Sequence, residues 1–389
     1  MLGGISTTLL IGLPPLPAPP PVVSALQKIE IEAAMDVASA FRLHLGITQA
    51  VPGDWDLLQV QYQETLFRPF TPIQIRVKVG IDIPETIING YVTGVDAVYD
   101  DESGGSALEV SGMDATILMN LQEKVQQWPM LPDSEIAAAI FAQYAIIPDV
   151  TETVPSLFEP EGTTTQRGTD IRFLRRLAQR NGFDCYVQPQ PQSGLNIGYF
   201  GPAMNFSAAP DAVMNVRMGP ETNVGEVRIR YDMSRPTAAL GMGLDVKTSS
   251  PFAYPAPLPA STPALAPPFP LGMPMGNENT VVRSFGPLSQ PLVLPAETGQ
   301  FAAPGLSVAT QAIVNRSSWA IVAEGTAGPD VGILRPGQTA NIRGLGVFFN
   351  GAYEVTRVSH VIDCTSYVQK FEARRNAVIM TGAEVFLQL

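Results

Sequence analysis

Cysteine and histidine are almost missing from this sequence: there are two of each in 389 residues, Cys185, Cys364, His44 and His360. Two cysteines so far apart make no disulfide framework. Metal ligands normally declare themselves by short spacing, so no metal site is expected either. Both cysteines fall in stretches that read as strands and are expected as buried free thiols. Charge is scarce as well, at 15% of residues, and it leans acidic, with 24 Lys and Arg against 36 Asp and Glu. A net charge of −12 argues against a nucleic-acid binder held by phosphate contacts. No apolar run reaches the roughly 20 residues of a membrane-spanning helix, so membrane insertion is not expected. The start, Met1 to Pro21, lacks the basic region of a secretory signal, and prolines cut its apolar stretch short. We read residues 1–24 as an extended proline-rich arm and expect a cytoplasmic product.

Catalytic patterns are equally thin. There is no G-x-S-x-G elbow, no P-loop, and no G-x-G-x-x-G between a strand and a helix. Gly344-x-Gly346 reads as turn geometry. The acids Asp100-Asp101-Glu102, and Glu159 with Glu161, sit on turns where carboxylates are solvated. No catalytic, cofactor-binding or metal-binding residue is expected, and no cofactor.

What is present is a globular chain, 45% hydrophobic, with room for several cores. Lys28 to Glu32 alternates as a strand, and Ala38 to Leu45 continues a β-layer or a turn of helix. Ile73, Ile75, Val77 and Val79 alternate with Gln74, Arg76 and Lys78 as a half-buried strand. Asn89-Gly90 signals a turn before a strand at Tyr91 to Tyr99, Asp100 to Gly105 reads as an acidic turn, and Ala107 to Val110 starts the return strand. The period then changes. Asp114 is expected to cap a helix through Ile117, Leu118, Leu121 and Val125, and Asp133-Ser134 starts a second, with Ile136, Ile140 and Phe141 on one face. Strand character returns at Gly225 to Tyr231. Pro251 to Pro274, dense in proline, reads as a long loop without a regular ladder. A helix is expected over Leu306 to Val322, a strand and turn at Ile333 to Gln338, and strands at Tyr353 to Val358 and Val368 to Ala373.

The most informative stretch is Gln166 to Val187. Thr169-Asp170 suits a helix N-cap, Ile171, Leu174, Leu177 and Ala178 form an apolar face, and Asn181-Gly182 stops the helix. Phe183, Cys185 and Val187 then alternate as a strand. Arg172, Arg175, Arg176 and Arg180 lie on the flanks. They suit an anion site less well than a solvated or subunit-facing flank, and Arg172, Arg175 and Arg176 are our candidate interface residues.

The pattern carried by Gln166, Gly168, Asp170, Phe173, Leu174, Arg176, Leu177, Ala178, Gly182 and Phe183 resembles the central motif of the phage late-control D family. These are baseplate hub proteins of contractile tails, similar to the hub half of VgrG-type secretion spikes. Two further patches resemble the family in the right order. One is Val110-Ser111-Gly112 with Asp114. The other runs from Leu334, Pro336 and Gly337 through Ile342, Gly344, Gly346, Phe349, Gly351, Tyr353, Val355, Thr356 and Val358 to His360.

The resemblance implies an α+β fold: two small antiparallel β-barrel domains with an intervening α+β domain. The expected boundaries are 25–112 for the first barrel, 113–215 for the α+β domain and 216–250 for the start of the second barrel. A proline-rich insertion follows at 251–300, then a helix and the rest of the second barrel at 301–376, and a tail at 377–389. It also implies a non-enzymatic homotrimer whose six barrels form a pseudo-sixfold ring, adapting a hexameric inner tube to a trimeric spike. Expected partners are the inner tube or tube-initiator protein, a spike protein and other baseplate proteins. Particle assembly is expected in the bacterial cytoplasm. No triple-β-helix repeat precedes Leu389, so the spike is expected on a separate chain. The alternative reading is a cell-wall-degrading hydrolase or glycan-binding component of the tail tip.

Overall fold

The computed structural model describes residues 4–51, 54–55, 65–99, 106–153, 163–202, 210–232, 238–245, 250–257, 273–274, 291–294, 308–313, 316, 319–378 and 385–386. Alternation sets the first strands. They are Ser6–Ile11 (β1), Leu26–Ala34 (β2), Ala40–Gly46 (β3), Pro72–Lys78 (β4), Glu85–Val98 (β5) and Ala107–Asp114 (β6); alternation is clearest in β6, where every second residue is buried, while β1 buries Leu9, Leu10 and Ile11 in succession. In β2, Ile29 and Ile31 are buried while Lys28, Glu30 and Glu32 face outward.

The middle block follows. A short helix, Thr116–Met119 (α1), precedes Glu123–Pro129 (β7), Asp133–Gln143 (α2), Ile147–Val150 (β8) and Thr163–Thr169 (β9). Asp170–Asn181 (α3), Phe183–Pro189 (β10) and Asn196–Pro202 (β11) complete it. Ile136, Ile140 and Phe141 of α2 meet Phe173, Leu174 and Leu177 of α3 and Phe200 of β11 in one buried core.

The last part holds Ala212–Asn215 (β12), Val224–Tyr231 (β13), Ala238–Asp245 (β14), Ser250–Pro257 (β15), Pro291–Leu294 (β16), Ile321–Ala327 (β17), Thr339–Arg343 (β18), Gly351–Asp363 (β19) and Tyr367–Arg375 (β20). The molecule is mostly β, with large antiparallel sheets. One sheet of thirteen strands runs β13-β17-β20-β19-β2-β3-β6-β5-β4-β1, ending on the short strand Leu16–Pro17, with β18 joining β12 to β19. The two ends of the chain meet in its middle, where β19 pairs β2 from Arg357↔Ala34 to Asp363↔Lys28. Two buried clusters sit along this sheet. One gathers Leu9, Ile31, Leu43, Ile75, Ile88 and Val110; the other gathers Met214, Ile321, Ile342, Tyr353, Val355 and Phe371.

Several sequence expectations need correction. The arm is no free arm: β1 pairs with β4 in six consecutive positions and buries Leu9, and Pro20–Ala25 is a short helix. Asn89-Gly90 makes no turn. It lies inside β5, where Asn89 donates to the Gly194 carbonyl at 2.8 Å. A Cβ on Gly90 would stand 2.1 Å from the Met113 carbonyl oxygen, so glycine there permits close strand approach. The helix expected through Val125 stops at Met119. Residues 123–129 pair instead with β9, leaving Val125 84% exposed.

The N-cap residue Thr169 makes no capping bond; its hydroxyl donates to Asn120 Oδ1. Ile333 to Gln338 contains the turn at 336–337 but no strand, which begins at Thr339. Residues 308–313 and 316 are helical, but Ile321 and Val322 belong to β17. Ser250–Pro257 forms a strand despite its prolines. Pro251, Pro255 and Pro257 fall on alternate positions of an edge strand, where every second N–H points away from the partner. Cys364 is exposed in the turn after β19, whereas Cys185 is buried as expected. The acidic turn at 100–105 and the acids at 159 and 161 lie outside the described residues.

Candidate assembly interface and the arginine seam

The motif that opens α3 holds its place through side chains distant in sequence. Asp170 is buried at the first turn. Its Oδ2 accepts from Lys124 Nζ at 2.6 Å and from the Tyr144 hydroxyl at 2.5 Å, and its Oδ1 accepts from Gln166 Nε2 at 2.5 Å. Gln166 Oε1 in turn accepts from Trp128 Nε1 at 3.1 Å. Burial opposes the Asp170 charge, but Lys124, Tyr144 and Gln166 together hold its pKa below the usual carboxylate value. At the other end Gly182 takes φ 72°, the left-handed cap expected of it.

The four arginines of α3 divide by direction. Arg180 is taken by Asp133: its Nε donates at 2.8 Å, its Nη2 bonds the second carboxylate oxygen, and Asn181 donates to the same group at 2.6 Å. This fork ties α3 to the start of α2. Arg172 and Arg176 are exposed, with Arg176 5.4 Å from the Phe173 ring. Arg175 turns toward the seam between the middle block and the large sheet. The structure therefore does not bring Arg172, Arg175 and Arg176 into one patch.

The ion pairs of that seam are made by residues the sequence did not single out. Arg374 of β20 donates from Nε to Glu354 at 2.6 Å and from Nη2 to Asp184 at 2.7 Å, and its guanidinium stands 4.5 Å from the Trp319 ring. Glu354 is completely buried. Arg316 donates to the Phe183 carbonyl at 3.0 Å. Arg175, Phe183, Asp184, Cys185, Trp319 and Arg374 line a cavity of about 380 Å³ here. Burial pushes the Cys185 thiol up to about 12, so it stays neutral there. The alternating charges of the closing strand were the available signal, but their partners lie up to 190 residues away.

A second tie crosses from the loop before β18 to β5. Arg335 donates to the Thr86 carbonyl at 2.7 Å and to Glu85 at 2.8 Å. Behind it His360 is fully buried, with Nδ1 2.9 Å from the Tyr367 hydroxyl. Burial, followed by the nearby Arg335 charge, brings its pKa down to about 3. His360 therefore resists a proton that the unfolded chain accepts near pH 6.5, and stability falls as pH drops through that range. Between pH 7 and 5 the wild type is expected to lose about 2 kcal/mol more than His360→Gln, as urea unfolding at both pH values will report.

Among the described residues no group of three His, Cys, Asp or Glu side chains is placed to hold a metal ion. No described helix is long and apolar enough to cross a membrane. Apolar residues are exposed at hairpin tips instead: Ile81 (98%) and Ile83 between β4 and β5, and Val347 and Phe348 between β18 and β19. Strand β13 pairs β17 on one side; among the described residues its other side carries only the bridge from Val224 to Val216.

This fold is similar to that of solved proteins from phage tails and a secretion system. The tail protein from Neisseria meningitidis MC58 superimposes with a TM-score of 0.63 at 12% identity, covering 98% of this chain and 100% of that one. The 43 kDa tail protein of prophage MuSo2 from Shewanella oneidensis gives 0.59 at 16% identity, with 97% and 98% covered. The E. coli c3393 protein, a component of the type VI secretion system, gives 0.51 at 9% identity, with 94% of this chain and 76% of that one covered. No protein-family model matches the sequence, and no curated protein does. The chain thus shares the fold of tail and secretion-spike proteins.

Proposed function

We propose that this protein is a structural baseplate hub of a contractile phage tail or a phage-derived contractile injection system. Three copies form a pseudo-sixfold ring between a hexameric inner tube and a trimeric spike. The observation that carries this reading is the end-to-end agreement of fold with two tail proteins, each matched over nearly its whole length. The late-control D resemblance of the sequence points the same way.

Two further observations support it. The two apolar clusters along one sheet give each chain two β modules, each of which we assign as a small barrel. The outer side of β13 and the apolar hairpin tips offer the backbone groups and surface that a ring of copies covers. Arg172 and Arg176, exposed on α3, are assigned to a contact with a neighbouring subunit.

Co-expression with the tube and spike proteins of the same particle tests the adaptor role. Both are expected to co-purify with this chain, and recovery of neither contradicts the reading. Reversing charge at Arg172→Glu with Arg176→Glu is expected to weaken assembly at least tenfold while leaving the circular dichroism spectrum unchanged. Unchanged assembly removes these residues from the interface. Peptidoglycan incubated with the purified protein should release no soluble fragments; release assigns the chain to wall hydrolysis instead.

A further inference from the structure

The seam cavity holds one cation whose hydrogen bonds are not made. Arg175 Nε and Nη2 are buried and, among the described residues, have no hydrogen-bond partner. Asp114 contributes to the field around Arg175 but forms no ion pair with it. Its oxygens accept from the Ser39 N–H at 2.6 Å, the Thr116 N–H at 2.9 Å and the Thr116 hydroxyl at 2.5 Å. The other cations of the cavity are committed: Arg374 to Glu354 and Asp184, Arg316 to the Phe183 carbonyl, and Arg357 to Glu32 and Asp36. Turning the Arg175 fork toward the open volume therefore breaks no bond to Nε or Nη2, and it relieves donors that are costly to leave buried and unpaired.

The acids of the cavity do not offset this. Asp184 is matched by Arg374, Asp36 by Arg357, and Glu372 sits opposite Arg357 in the strand register. Cys185 is an uncharged thiol. Burial lowers the proton affinity of Arg316, with Asp184 opposing the effect and Arg374 adding to it. The volume, about 380 Å³, admits a small oxyanion or the end of an acidic side chain.

We infer that the seam cavity is an oxyanion site in which Arg175 engages a carboxylate through its planar fork. The carboxylate comes either from a free small acid or from an acidic side chain of a second copy. A chain with 36 Asp and Glu against 24 Lys and Arg supplies such side chains in excess. A guanidinium suits this role better than an ammonium because its two parallel N–H groups match the two oxygens of a carboxylate.

Calorimetric titration of the full chain with citrate, and separately with inorganic phosphate, tests the site directly. Light scattering across a concentration series tests the second source. A free-acid site gives one citrate or phosphate per chain, weakened at least tenfold in Arg175→Gln and in Arg175→Lys but unchanged in Arg172→Gln. A second-copy carboxylate gives self-association weakened at least tenfold by the same Arg175 variants, spared by substitution of the exposed Arg42 (Arg42→Gln), which lies outside the cavity, and competed by citrate. Should Arg175→Gln fail to fold, Arg175→Lys keeps the charge and removes only the fork. Wild-type protein that binds neither anion, together with self-association indifferent to Arg175, overturns the inference. The site does not rest on the tail reading. A monomer that binds citrate through Arg175 contradicts the hub and keeps the site, while a ring indifferent to Arg175 and to citrate does the reverse.

Discussion

Arg374→Ala is expected to destabilise the protein by about 3–5 kcal/mol, the cost of leaving one member of a buried ion pair behind. Glu354 is completely buried, and Arg374 reaches it at 2.6 Å while holding Asp184 at 2.7 Å. Removing the guanidinium takes the cation away from the fully buried Glu354 and from Asp184. It also takes away the cation 4.5 Å from the Trp319 ring. Because Asp184 lies on β10 and Glu354 on β19, one substitution loosens the contact between the middle block and the sheet. Urea unfolding will show a lower midpoint. Replacing both partners, Arg374→Met with Glu354→Leu, is expected to recover a large part of the loss, since the fully buried carboxylate leaves with the cation and only the part-exposed Asp184 remains. A single change costing under 1 kcal/mol contradicts this account of the seam.

Gly344→Ala is expected to have an effect of similar size for a different reason. Gly344 has φ 92°, and a Cβ there would stand 1.9 Å from the Val216 carbonyl oxygen and 2.9 Å from its carbon. Val216 accepts no easy displacement, because its own N–H donates to the Arg343 carbonyl at 3.0 Å beside the parallel β12–β18 pair. Unfavourable backbone conformation and overpacking together cost about 2–6 kcal/mol. Gly346→Ala makes the informative comparison: its φ is 86°, but nothing lies within 4 Å of the added carbon. It should cost only the conformational part, about 1–3 kcal/mol. Thermal unfolding of the pair separates the two contributions; equal losses refute the close approach at Val216.

How much of this was legible follows from where the partners of each residue lie. The turn geometry of Gly344-x-Gly346 and the stop at Gly182 are local properties of glycine and were readable. So was α2, whose buried face of Ile136, Ile140 and Phe141 repeats at helical spacing. Residues 114–129 misled because Ile117, Leu118, Leu121 and Val125 share that spacing, yet Leu121 and Val125 face solvent and the strand exists through its pairing with residues 163–169. Asn89-Gly90 carries the composition of a hairpin turn, but its tertiary partners at Met113 and Gly194 override the local preference.

The candidate site was legible in part. Arg172, Arg175 and Arg176 were visible as a basic flank, but helical spacing alone does not tell which of them turns toward the seam. That is decided by Arg374, Trp319 and Cys185, brought there from other elements. His360 closes the patch that resembles the late-control D family, and the structure packs it fully buried in a strand. Its bond to Tyr367 crosses the turn between two adjacent strands, one of the few side-chain contacts at the site that is nearly local.

The most direct test is the mass of the purified chain in solution, measured by light scattering at several concentrations. A hub of this design gives a stable particle of three times the 41.6 kDa chain mass. A chain that stays at 41.6 kDa at every concentration, and in the presence of its tube and spike proteins, contradicts it.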